Sequence, residues 1–224
     1  MIIQLLNKIL LKTVGSRLIS SQYGEDLIIE SFIPKKKDGF SVDIGANHPI
    51  KFNNTILFYR KGWSGINIEP NPSKKWLFKL FRPRDINLTV GIGKEKGTID
   101  FFVFHPSTLS TFDKKAADEY VRMGHKLVKT LHIPVTPLAD ILAKYASGKM
   151  IDIMSVDTEG FDMQVLESND WERFSPRFII LETLEYREVS SGKKLNDIYD
   201  LYLAKLGYAK VADTHINTIY EKTH

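Results

Sequence analysis

Phe40-Ser41-Val42-Asp43-Ile44-Gly45-Ala46-Asn47 is the stretch whose reading decides the fold. Phe40 to Ile44 is short, favours a strand, and ends at a glycine. Gly45 lets the chain turn sharply and approach a ligand with no side chain in the way. A helix is expected over about residues 54–61, with Asn53 or Asn54 as N-cap and Gly62 as terminator. Gly65-Ile66-Asn67-Ile68 then reads as a second strand ending in Glu69-Pro70, followed by a helix from about Pro72 to Phe81 and a third strand from Ile86 to Val90. Further on, Ile151 to Val156 reads as a fourth strand ending in Asp157, and Phe178 to Leu181 as a fifth ending in Glu182. Apolar runs of this kind, alternating with helical stretches, suit a parallel sheet covered on both faces.

Outward from this frame, Thr136-Pro137 is expected to open a helix with Leu138, Ile141, Leu142 and Tyr145 on one face. Leu195, Ile198, Tyr199, Tyr202 and Leu206 form another stripe, stopped at Gly207, and Tyr208 to Ala212 with Thr218 to Glu221 read as a closing antiparallel pair. Between the third and fourth strands the chain is too long for one crossover. Thr98 to Phe104 and Val128 to Val135 read as inserted strands around a polar stretch, His105 to Lys126, which we assign to an acceptor pocket.

The first twenty residues place Ile2, Leu5, Leu6, Ile9 and Leu10 on one helical stripe. Such a helix docks on the body, joins a homo-oligomer, or rests on a membrane surface as a peripheral contact. No apolar run reaches the roughly 18 residues of a membrane span, so a cytoplasmic location is expected. Residues 21–224 then form a single domain. The 31 basic and 27 acidic residues nearly balance, and the basic run Lys35-Lys36-Lys37 has no interleaved aromatics, which argues against a nucleic-acid partner. The absence of cysteine excludes disulfides, thiolate nucleophiles and thiolate metal sites.

In open parallel sheets the ligand sits beyond the carboxyl ends of the strands. Those ends carry Asp43, Glu69, Asp157, Glu159 and Glu182, a ring of carboxylates around one crevice. An ionised acid at Glu69 can accept both hydrogen bonds of a ribose diol. A nicotinamide-dependent oxidoreductase or epimerase would use the same strands, but its G-x-G-x-x-G fingerprint is missing: Asn47 and Ile50 stand where the second and third glycines belong. A ligand with ribose and no pyrophosphate fits better, and S-adenosylmethionine is one. A non-catalytic glycan-binding module on the same fold is the other alternative.

Val42-Asp43-Ile44-Gly45-Ala46-Asn47-His48-Pro49, Asn54-Thr55, Lys61-Gly62-Trp63-Ser64-Gly65, Ile68-Glu69-Pro70-Asn71-Pro72, Leu109-Ser110-Thr111-Phe112 and Ser155-Val156-Asp157-Thr158-Glu159-Gly160 resemble, in order, the FkbM family of methyltransferases. Ser21-Gln22-Tyr23-Gly24-Glu25-Asp26 matches the family's N-terminal run. The resemblance implies a Rossmann-like α/β class I methyltransferase sheet of order 3-2-1-4-5-7-6, S-adenosylmethionine as donor, and oxygen as acceptor atom. It implies that Asp43, Gly45 and Glu69 line the cofactor; Ala46, Asn47, Pro70 and Asp157 join them as neighbours on the same strand ends. Gln22 and Asp26 either cap a helix or close over the cofactor.

An alcohol is a poor nucleophile until its proton leaves, which a positioned carboxylate or histidine assists. Asp157, Glu159, Glu182 and His48 are the candidates for that role, and Asn54, Ser110 and Thr111 for acceptor contacts. Clustered acids are also the ligand type Mg²⁺ takes, and that alternative stays open without a committed metal site. His105, His125 and His132 lack ligand spacing, and Trp63, Trp76 and Trp171 are expected to pack. The expected function is O-methylation of a sugar, nucleotide-sugar, glycan or similar small metabolite.

Overall fold

The computed structural model of the chain describes residues 21–33, 36–183 and 196–223. Strands β1 (Phe40–Ile44), β2 (Ser64–Ile68) and β3 (Ile86–Leu88) come first. The insertion supplies β4 (Gly91–Ile92), β5 (Gly97–His105) and β6 (Lys126–Thr136). Next come β7 (Ile153–Val156), β8 (Phe178–Glu182), β9 (Tyr208–Asp213) and β10 (Asn217–Lys222). Seven strands form one sheet in the order β3-β2-β1-β7-β8-β10-β9, and β4-β6-β5 form a second. Numbered among themselves, the seven read 3-2-1-4-5-7-6, the expected order. β1, β2, β3, β7 and β8 are parallel, while β10 runs antiparallel to both neighbours.

Alternation along the strands divides the core between the two faces. Val42, Ile44, Met154, Ile179 and Leu181 pack against Leu138, Ile141 and Leu142 of α5 (Leu138–Tyr145), Val165 and Leu166 of α6 (Asp162–Glu167), and Leu203 of α7 (Asn196–Lys205). Ile153, Phe178 and Ile180 point the other way, onto Ile29 of α1 (Glu25–Phe32), Phe58 of α2 (Ile56–Arg60) and Trp63. Helices α3 (Lys75–Phe81) and α4 (Lys114–Arg122) complete the described set.

Several local expectations change. The helix after β1 starts at Ile56 with Thr55 at its cap position and no side-chain cap, because Asn53 and Asn54 are bonded elsewhere. Thr136 is the last residue of β6, so Pro137 takes the cap position of α5. The third strand breaks at Leu88, and the chain crosses at Gly91 to pair with β6. On α7, Ile198 is 59% exposed and Leu203 takes its core place; Leu195 lies outside the described residues, as do residues 1–20. Trp63 is buried and Trp171 packs against the core, but Trp76 is 62% exposed. Among the described residues, no helix is long and apolar enough to cross a membrane.

Candidate active site

A cavity of about 330 Å³ opens at the carboxyl ends of β1, β2, β7 and β8, with the inserted segment along one side. Its floor begins at Gly45, whose backbone takes φ 78° and whose N–H donates to Ile68 O at 3.0 Å, tying the β1 turn to the tip of β2. Asn47 also takes a positive φ, 46°, which asparagine tolerates better than most residues.

Glu69 is 6% exposed and lines the cavity. Asn71 N–H donates to its Oε1 at 2.8 Å, and Lys74 Nζ lies 3.9 Å from Oε2. Burial pushes its pKa up, while Lys74 and the backbone N–H groups of Asn71 and Asn47 oppose that rise. Lys74 also donates to Asn47 Oδ1, so one cation links the tips of the first two strands.

Asp43 is buried at 4% exposure and takes both of its hydrogen bonds on Oδ2, from Asn53 Nδ2 at 2.8 Å and Thr55 Oγ1 at 3.1 Å. Burial raises its pKa against the pull of Arg82. Asn54 donates to Ser155 Oγ at 3.0 Å, and both line the cavity.

Across the cavity, carboxylate oxygens of Asp157, Glu159 and Glu182 all lie within 4.8 Å of one another. The loop carrying the first two is held by Asp162, which accepts from Thr158 N, Thr158 Oγ1 and Gly160 N. Glu159 sits at φ 53°, and Thr111 Oγ1 donates to its carbonyl at 2.8 Å. Burial, then the neighbouring Asp162, pushes Asp157 up to about 7. Burial and the other acids hold Glu159 and Glu182 well above the usual carboxylate range. Burial and the neighbouring acids therefore favour a shared proton over adjacent full charges at Asp157 and Glu182. The trio supplies three oxygen ligands of the type a hard cation takes.

Gln22, Ala46, Pro70 and Ser110 also line the cavity. Three expected residues do not. Asp26 is buried in the first turn of its helix, accepting from Ser21 Oγ at 2.6 Å and from the Leu27 N–H at 3.0 Å, while Gly24 holds the cap position. His48 Nδ1 accepts from the N–H groups of Ile50 and Lys51, which makes the ring a turn clasp, and burial lowers its pKa. Thr111 is fully buried and fixes Glu159 from behind.

The cavity also recruits residues that sequence reasoning passed over. Lys74 stands at the end of the short turn Pro72–Lys74 that follows Glu69-Pro70-Asn71, and a lysine so soon after the strand-end acid is a readable signal. Phe52, Phe101, Phe112 and Phe161 supply apolar wall, and Tyr23 packs on His215 with ring centroids 5.3 Å apart. His215 lies in the β9–β10 turn, where nothing local marks it.

The sequence profile described as the methyltransferase FkbM domain matches residues 43–210. No curated protein matches the chain. Among solved structures, the chain is similar to a candidate O-methyltransferase from Klebsiella pneumoniae, with TM-score 0.45 and 8% identity over 99% of this chain and 90% of that one. The profile spans the Gly45 turn, Glu69, the inserted sheet and the Asp157 loop, three quarters of the sequence, and on that match the chain belongs to the FkbM family of methyltransferases.

Proposed function

We propose that the protein is an S-adenosylmethionine-dependent O-methyltransferase acting on a hydroxyl of a sugar, glycan, nucleotide-sugar or similar small metabolite. The observation that carries the reading is Glu69, a buried acid at the tip of β2 opening into a cavity whose adjacent turn, at Gly45, has no side chain. That pairing suits a nucleoside: Glu69 accepts from the ribose diol, Ile68 and Pro70 give apolar surface for the base, and Asp43 and Asn47 lie towards the amino-acid half. S-adenosylmethionine supplies an electrophilic methyl group on a sulfonium when bound.

The chain's own residues orient the acceptor and take its proton. Asp157, with a pKa near neutrality, receives the hydroxyl proton as the oxygen becomes nucleophilic. Glu182, with a carboxyl oxygen within 4.8 Å of Asp157, shares that proton and helps hold the Asp157 carboxyl in place. Glu159, held by Thr111 and Tyr120, orients the acceptor from the inserted side. Ser110 and Asn54 supply the neutral hydrogen-bonding groups that a polyhydroxyl acceptor needs.

Thermal shift with S-adenosylmethionine, S-adenosylhomocysteine and NAD(H), repeated on Glu69→Ala, tests the donor. The adenosyl ligands are expected to raise Tm, and Glu69→Ala to weaken them by about tenfold or more. Stabilisation by NAD(H) alone, or full affinity in Glu69→Ala, would overturn the reading. Labelled methyl transfer to a sugar panel, located by mass spectrometry, identifies the acceptor, and its complete absence across extracts would favour the non-catalytic binding module.

A further inference from the structure

Arg82 is 1% exposed and is used by none of the chemistry above. It sits behind the first two strands with its Cζ 4.6 Å from the centroid of the Tyr59 ring. Its Nε donates to Asp85 Oδ2 at 2.7 Å, Nη1 to Asn53 Oδ1 at 3.2 Å, and Nη2 to Thr55 Oγ1 at 3.0 Å. Asp85 is steadied in turn by Asn67 Nδ2 of β2 at 3.0 Å.

These bonds decide how Asp43 is held. An amide side chain can flip, and a hydroxyl hydrogen can rotate, so neither Asn53 nor Thr55 has a fixed polarity of its own. Arg82 cannot accept a hydrogen bond, so whatever faces it must be an oxygen. Asn53 therefore turns its oxygen to Arg82 and its Nδ2 to Asp43. Asn53 Oδ1 also receives the Thr55 N–H at 3.1 Å, so its two lone pairs are taken by N–H donors although the Thr55 hydroxyl lies within reach as well. The Thr55 hydroxyl accepts from Arg82 on one side, and its single hydrogen faces both Asp43 Oδ2 at 3.1 Å and Asn53 Oδ1 at 3.0 Å. Since Asn53 Oδ1 already accepts from Arg82 and the Thr55 N–H, the carboxylate is the acceptor left open to it. Both bonds land on Asp43 Oδ2, and Oδ1 has no partner among the described residues in a side chain that lines the cavity.

We propose that Arg82 is a positioning residue for the donor site: braced by Asp85, it sets the polarity of Asn53 and Thr55 so that they fasten one oxygen of Asp43 and leave the other for the cationic end of the ligand. The proposal rests on the donor reading above. Lysine would not replace it, because a single ammonium cannot span Asp85, Asn53 and Thr55 with planar, fixed geometry.

Two probes separate positioning from bulk stability. S-adenosylhomocysteine carries the amino-acid half with its ammonium; 5′-methylthioadenosine keeps the nucleoside and lacks that half. Calorimetry with both is run on the wild type, Asp43→Asn, Arg82→Lys and the double variant Arg82→Met with Asp85→Asn. The double variant leaves no new unpaired charge beside Asp85, so it guards against simple unfolding.

The wild type is expected to prefer S-adenosylhomocysteine. All three variants should lose about tenfold or more of that preference while their 5′-methylthioadenosine affinity moves by no more than about twofold. Equal loss for both probes, a change in Tm alone, or full rescue by Arg82→Lys would overturn the positioning role, as would an unchanged preference in Asp43→Asn. If the wild type binds neither probe, the donor reading itself fails and this inference falls with it.

Discussion

A Cβ placed on Gly45 would lie 1.7 Å from the carbonyl oxygen of Asp157. The turn after β1 and the end of β7 thus touch through backbone alone, and the same glycine holds φ 78°. Both circumstances demand glycine, and they bring the Asp157 loop against the donor side of the cavity. Gly45→Ala is expected to destabilise the fold by about 2 kcal/mol or more, from left-handed strain and the displaced carbonyl together. It should also weaken adenosyl ligands. Denaturant unfolding and calorimetry check this, and an unchanged midpoint with unchanged affinity would remove the packing argument.

Asp157 ordinarily titrates at 3.8 and is raised here to about 7. Between those values the folded chain binds more protons than the unfolded one, so stability falls as pH rises across that window. The ligand-free protein is expected to melt higher at pH 5 than at pH 8. Asp157→Asn should flatten the dependence by removing the buried charge. A melting temperature that climbs steadily from pH 5 to pH 8, in the wild type and unaltered by the substitution, would contradict the enclosed acid cluster.

Much of this arrangement is legible in the sequence because it follows from local rules. Phe40 to Ile44 and Phe178 to Leu181 are strands by composition, and the acids at their ends follow from where such sheets bind ligands. What escaped depends on pairings across the chain. Thr111 reads as an acceptor contact from its loop, yet it is buried because the Glu159 carbonyl, 48 positions on, needs its hydroxyl. His48 reads as a base until two backbone N–H groups claim its Nδ1. Arg82 and Asp85 sit just beyond a surface helix, where a charged pair ordinarily means solvent; only the fold shows them beneath Asn53 and Thr55. The inserted strands are individually readable, but that Gly91–Ile92 leaves the main sheet to join them is a matter of register.

The Asp157, Glu159 and Glu182 oxygens are close enough to hold a cation, and the same closeness lets them share protons. We expect proton sharing to govern the reaction, so EDTA should leave methyl transfer unchanged and added Mg²⁺ should not shift Tm. Loss of activity in EDTA, restored by Mg²⁺, would instead assign the trio as ligands. Asp157→Asn should lower kcat by about a hundredfold with little effect on donor affinity. Equal effects on both would move Asp157 from the acceptor to the donor.

The charge around the cavity bears on the acceptor. Five acids line it, of which Asp43, Glu69 and Asp157 are the candidates for charge because burial holds Glu159 and Glu182 towards their protonated forms, whereas Lys74 is the one lysine or arginine among the described lining residues. Lys74 is already engaged by Glu69 and Asn47. A phosphate brought within about 4 Å of an ionised carboxylate near a protein surface meets repulsion on the order of 4 kcal/mol. Within the proposed acceptor range, neutral sugars and glycan ends should therefore be methylated in preference to the same sugar carried as a phosphate or nucleotide diphosphate, by about tenfold or more in kcat/KM. Salt should narrow the gap by screening the repulsion, affecting the anionic acceptor more than the neutral one. Matched acceptors assayed at low and high ionic strength decide the matter. Faster turnover of the nucleotide-linked sugar at low salt would mean that its phosphates lie outside this cavity, against some other surface of the chain.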